Sequence, residues 1–135
     1  MSKKRVVPSA RVKGKFMGKI HFKDLKVWQI SVNLVKETYS LVKLLPNEEI
    51  FALSSQMRRA AISISSNIAE GNSRGSKKEY INFLSIARGS VSELWSQIII
   101  CCELNYFSNE DTEKAINLCE EVSRILNVMI MKLKE

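Results

Sequence analysis

Histidine is almost missing from this chain: His21 is the single one among 135 residues. Without a second imidazole there is no His pair and no mixed His/Cys cluster to hold a metal ion, so neither a metal nor a cofactor is expected. Cysteine is scarce too. Cys101, Cys102 and Cys119 are an odd number of thiols; two are neighbours on an apolar run and the third is distant. Neither a secreted disulfide framework nor a zinc motif fits this pattern, and all three read as small buried residues of a reducing, cytoplasmic protein. There are two prolines and five glycines. Both prolines and four of the glycines fall in the N-terminal stretch or at expected helix boundaries, which leaves only Gly89 inside a helix, where it is expected to permit close backbone approach. Long apolar runs are absent as well. Ile98-Ile99-Ile100-Cys101-Cys102 is far short of the roughly 18 residues a membrane span needs, and no membrane partner is expected.

Acid is absent from the first twenty residues, where Lys3, Lys4, Arg5, Arg11, Lys13, Lys15 and Lys19 place seven positive charges. From His21 onward fourteen Lys and Arg face fourteen Asp and Glu, so the rest of the chain is formally neutral. The organisation is therefore read as a flexible basic arm over 1–21 on a neutral body over 22–135. The arm has the positive start of a signal peptide without its apolar middle, because Lys or Arg interrupts Val6, Val7, Val12, Phe16, Met17 and Ile20, and export is not expected. A cationic arm on a neutral body suits RNA or DNA backbone, bound without sequence readout.

The body reads as all-α. Leu25, Trp28, Val32, Val35, Tyr39 and Val42 lie 3, 4, 3, 4 and 3 residues apart, one stripe of a helix over about 24–45, with Asp24 as N-cap and Pro46 as stop. A second helix over about 47–70 has Leu53, Met57, Ala60, Ala61, Ile64 and Ile68 on its core face and Gly71 as its stop. Ser76-Lys77-Lys78-Glu79 is a capping box opening a third helix to about 105, and Ser108 caps a fourth over about 108–133, with Ala115, Leu118, Val122, Ile125 and Met129 inward. Short connections between long helices predict an antiparallel up-down-up-down four-helix bundle. Three helices carry a second apolar stripe, roughly 90° or more from the first. Ile30, Leu34 and Leu41 on helix one, Phe51 and Ile62 on helix two, and Ile86, Ile100 and Leu104 on helix three are read as an interface between copies, giving a ring-like homo-oligomer, the alternative being a wide core with a few ordinary surface leucines.

Catalytic chemistry is not found. Gly71-Asn72-Ser73-Arg74-Gly75-Ser76-Lys77 is one residue short of a phosphate-binding loop and follows a helix instead of a strand. Glu70, Glu79 and Glu93 each have nearby cations, no nucleophile stands beside a base, and no enzyme is expected. For phosphate contact, Arg74, Lys77 and Lys78 surround the start of helix three. Arg58 and Arg59 lie away from the core face of helix two, where they either contact phosphate or pair with Glu70 or with an acid on another helix or copy. Tyr39, Tyr80 and Tyr106 do not interleave with the basic residues in sequence, so a single-strand stacking platform is not expected.

Phe22, Leu25, Val27, Trp28 and Gln29 are followed by Gln56-Met57-Arg58-Arg59-Ala60-Ala61-Ile62-Ser63-Ile64, then Asn67-Ile68-Ala69-Glu70-Gly71, Ser76-Lys77-Lys78-Glu79-Tyr80, Phe83-Leu84, Ile86-Ala87 and Gly89-Ser90. These strings resemble the bacterial four-helix-bundle family associated with 23S rRNA intervening sequences, over roughly residues 22 to 130. The resemblance implies a cytoplasmic homopentamer without known enzymatic activity. That family is similar in fold to the accessory proteins of diversity-generating retroelements, which implies a reverse transcriptase as an alternative partner. The basic arm departs from the family pattern, which commonly begins near Phe22.

Overall fold

The computed structural model describes residues 20–135. The described residues hold four helices, α1 (Lys26–Val42), α2 (Ser55–Asn72), α3 (Lys77–Glu103) and α4 (Asn109–Lys134), and no strand. Both α1 and α3 pack mainly on α2 and α4, and all four contribute to one apolar core. Each helix must bury one stripe, and four stripes turned inward close the core.

Local chemistry explains the ends. A 3-10 turn over Phe22–Asp24 leads into α1, with Leu25 at the N-cap position in extended geometry. The cap expected at Asp24 is not formed: its residue lies inside the turn, its amide donating to the His21 carbonyl at 2.9 Å. α1 ends at Val42, earlier than expected, as the Lys43, Leu44 and Leu45 amides bond three residues back and Pro46 bars Leu45 from helical geometry. The second helix is not continuous from 47. A 3-10 turn over Asn47–Glu49 and a π-helical turn over Ile50–Ser54 precede α2, and this narrow-then-wide winding shifts the phase so that Leu53 is only half-buried. Ser76 accepts from the Glu79 amide at 3.1 Å, one half of the expected box; the full reciprocal pair forms at α4, between Ser108 and Asp111. Asn105 ends α3 in left-handed geometry (φ 64°), and the Tyr106 amide reaches the Cys101 carbonyl at 2.9 Å.

The two stripes of α1 are the reverse of the sequence expectation. Ile30, Leu34 and Leu41 lie in the protomer's own core with Leu45, so they are not available to a second copy; Trp28, Val32 and Val35 are half-buried and Tyr39 is 39% exposed. The buried side also carries Ser31 and Thr38, whose hydroxyls donate to the Trp28 and Leu34 carbonyls at 2.7 and 2.8 Å. A hydroxyl satisfied by its own helix enters a core at little cost, which disguises that face as polar in sequence. The inward face of α4 is displaced similarly. Cys119, Leu126 and Ile130 are buried with Ala115 and Val122, while Leu118, Ile125 and Met129 are half-buried.

Gly71 is the close-approach glycine, in place of Gly89. A Cβ on Gly71 would stand 2.8 Å from Phe83 Cβ, whereas one on Gly89 would meet open space. Gly71 does not stop α2, which continues through Asn72. Cys101 and Cys119 are buried free thiols, and Cys102 is half-buried. Burial pushes the Cys101 thiol up to about 11, aided by Cys102 and Glu49, and Cys119 to about 12, so both remain protonated near neutrality.

Gly71→Ala is expected to cost about 1–3 kcal/mol, as an overpacking defect against α3. Gly89→Ala should be neutral or stabilising by up to about 1 kcal/mol. Urea unfolding of the two variants measures the contrast; equal effects would refute the assignment of the close contact to Gly71.

Candidate nucleic-acid interface

The chain enters the fold beside the α2–α3 turn. Asn72, the last residue of α2, donates from Nδ2 to the Ile20 carbonyl at 2.9 Å, and its Oδ1 accepts from the Tyr80 hydroxyl on α3 at 3.4 Å. Burial pushes the Tyr80 phenol up to about 12, which keeps it a neutral donor across the physiological range. Ring contacts extend the anchor: the tilted His21 ring lies 4.4 Å from Phe22, and Phe22 and Trp28 meet edge-to-face at 5.2 Å. Residue 20 is thus held at the end of α2. The candidate arm residues Lys3, Lys4, Arg5, Arg11, Lys13, Lys15 and Lys19 lie outside the described residues.

Around the same turn, Arg74 is already engaged. Its guanidinium bonds Glu70 Oε2 at 2.7 Å and lies 4.8 Å from the Phe83 ring centre. Lys77 and Lys78 are exposed at the first positions of α3. The three cations therefore do not form a bare phosphate cluster: one is spent on its own helix end, two are open. The Glu70–Arg74 pair is itself half exposed, so it orients Arg74 more than it stabilises the fold.

Arg58 and Arg59 behave differently. With Tyr39, Ser55 and Ile62 they line an open depression of about 370 Å³ between α1 and α2. Ion pairs among the described residues are Arg74–Glu70 and Lys114–Glu37, so neither arginine has a carboxylate partner among them. The expected pairing with Glu70 is not made. Eleven or twelve residues of helix separate them, about 16–18 Å at 1.5 Å per residue, and Glu70 is taken by Arg74. The other tyrosines are occupied: Tyr80 is buried, and the Tyr106 hydroxyl donates to Glu49 Oε2 at 2.9 Å, a bond to a carboxylate that raises the phenol above its ordinary pKa. Tyr39 is the aromatic that the fold brings to the arginines, a juxtaposition that depends on how α1 lies along α2 and has no signal in sequence spacing.

Of the apolar residues read as an interface, Phe51 (96%), Ile62 (43%), Ile86 (45%), Ile100 (45%) and Leu104 (51%) are exposed. Among the described residues no group of three or more His, Cys, Asp or Glu is placed to hold a metal, and no helix is long and apolar enough to cross a membrane.

Among the described residues, four helices without a strand, no metal-binding cluster and two arginines without a carboxylate partner define a small all-helical protein. Residues 23–128 match the model of the 23S rRNA-intervening sequence protein family, and the chain belongs to that family. A solved structure with the same fold is a protein of unknown function from the S23 ribosomal protein family of Bacteroides thetaiotaomicron. It is 28% identical, superposes with a TM-score of 0.72, and is covered over 97% of its length by 77% of this chain. No curated protein matches the chain.

Asn72→Ala removes the bond to Ile20 and a buried partner of Tyr80. It is expected to cost about 1–3 kcal/mol and to speed tryptic cleavage after Lys23. Unchanged proteolysis and unfolding would show that this anchor is not what holds the chain entry.

Proposed function

We propose that the protein is a non-enzymatic, cytoplasmic nucleic-acid-binding accessory that contacts RNA or DNA backbone through basic residues. The observation that carries this reading is the charge partition: seven cations without an acid precede residue 20, and the body that follows is neutral. Polyanion affinity then resides in the arm, with Lys77 and Lys78 beside its point of entry and Arg58 and Arg59 on the α1–α2 face as further phosphate contacts. Backbone contact of this kind is unspecific in sequence and weakens steeply with salt.

The proposed assembly is a ring-like homopentamer of antiparallel up-down-up-down bundles. Support comes from the exposed apolar residues Ile86, Ile100 and Leu104 on α3, which a monomer would leave in water. Gln97 falls on the same stripe of α3 as Ile86, Ile100 and Leu104, and its Oε1 is buried without a hydrogen-bond partner among the described residues. A ring multiplies the arms, and linked weak contacts add through effective concentration. The same apolar stripe favours a second reading, a scaffold on which a partner protein such as a reverse transcriptase docks.

Replacing the seven arm cations by glutamine in the full chain separates the readings. If each meets one phosphate, the slope of log affinity against log salt for duplex should lose about 6 per arm, while helicity and sedimentation stay the same. An unchanged slope would refute the arm as the source of affinity. Retention of a partner protein after nuclease treatment would favour the scaffold.

A further inference from the structure

The depression between α1 and α2 combines features that the backbone-contact reading does not require. Its floor and rim are a phenol ring (Tyr39), two guanidinium groups (Arg58, Arg59), a hydroxyl (Ser55) and one apolar side chain (Ile62). Both charges have one sign and neither is neutralised by a carboxylate among the described residues. Unpaired guanidiniums side by side repel each other, and an anion bridging them removes that repulsion while using their planar donor forks. A phosphodiester is such an anion. Carboxylates fit the same forks, and what favours a nucleotide is the exposed ring beside the charges.

Tyr39 supplies that second element. Its ring is 39% exposed, and Ile62, 43% exposed, gives an apolar wall. A base can lie on the ring only if it is unstacked from its neighbours, which is routine in a single strand and costly in a duplex. The volume of about 370 Å³ is at the lower end of ligand-sized pockets, which begin near 300 Å³, and so suits one nucleotide unit with its chain passing through an open site.

We propose that this depression is a nucleotide-binding site for single-stranded RNA or DNA, with phosphate held by Arg58 and Arg59 and a base stacked on Tyr39. The inference rests on the nucleic-acid reading above and deepens it: the arm supplies affinity for any polyanion, and the depression supplies preference for an unpaired strand. Ser55 then donates its hydroxyl to the phosphate or to a sugar oxygen.

The test uses the full chain and short oligouridylate as probe, with a duplex of the same length as control. Tyr39→Leu is expected to weaken single-strand binding about tenfold, as one lost stack does, and to leave duplex binding and the salt slope unchanged. Tyr39→Phe should bind as the parent does. The double variant Arg58→Gln, Arg59→Gln should weaken single-strand binding and lower the salt slope by about 1.4, two contacts at 0.7 each. Parent-like binding by Tyr39→Leu and by the double variant, with the parent still binding, overturns the site and leaves the arm reading standing. Failure of the parent to bind either probe overturns that reading and the site with it. A change in sedimentation of the double variant at unchanged helicity assigns the arginines to contacts between copies and also overturns the site.

Discussion

Close approach of α2 and α3 is the constraint on which the other features depend. Small residues meet along this seam: Ser63 and Gly71 on α2 and Ser90 on α3. The helices come near enough for the Ser63 and Ser90 hydroxyls to bond at 2.8 Å, with Asn67 Nδ2 donating to Ser63 Oγ at 3.1 Å. Polar atoms in that seam are therefore satisfied by one another instead of by water. At its end Gly71 lets Phe83 in, and this approach sets Asn72 against Tyr80, which in turn fixes where residue 20 meets the body. With its inner face committed to α3, α2 has one face left for solvent, and that face bears Arg58, Arg59 and Ile62.

Much of this architecture was legible because helices announce themselves twice, by apolar spacing and by punctuation. Pro46, Ser76 and Ser108 stand where the chain changes element, and the core face of α2 was readable from Met57 to Ile68. What misled was any residue whose polarity depends on its neighbours. Ser31 and Thr38 look like solvent positions until their hydroxyls turn back onto α1, and this inverted the choice between its two stripes. The α1–α2 connection was hidden for another reason: a 3-10 turn followed by a π-helical turn has no simple sequence period. Gly89 looked structural because it interrupts a helix, but only the packing of α2 on α3 tells that Gly71 is the one under constraint.

The candidate site divides the same way. Local features were readable, since the arm's charge needs no fold to be counted. Contacts between elements were not. Glu70 is removed as a partner for Arg58 and Arg59 by Arg74, four residues away, and the stacking of Arg74 on Phe83 takes it out of the bare phosphate cluster expected at the turn. Tyr39 is nineteen residues from Arg58 in the chain yet shares a depression with it. Spacing along a single helix cannot register a pair built across two.

Under the proposed reading a neutral, tightly packed helical body presents cations in two ways, a basic leader entering beside the α2–α3 turn and a pair of unpaired arginines beside an open tyrosine. Ultraviolet cross-linking of the full chain to single-stranded and to duplex RNA, with the joined peptides mapped by mass spectrometry, tests this most directly. Cross-links are expected in the first nineteen residues with both RNAs, and at Tyr39 and around Arg58 and Arg59 with the single strand alone. Cross-links confined to the face of Ile86, Ile100 and Leu104, or none in the basic leader, would contradict it.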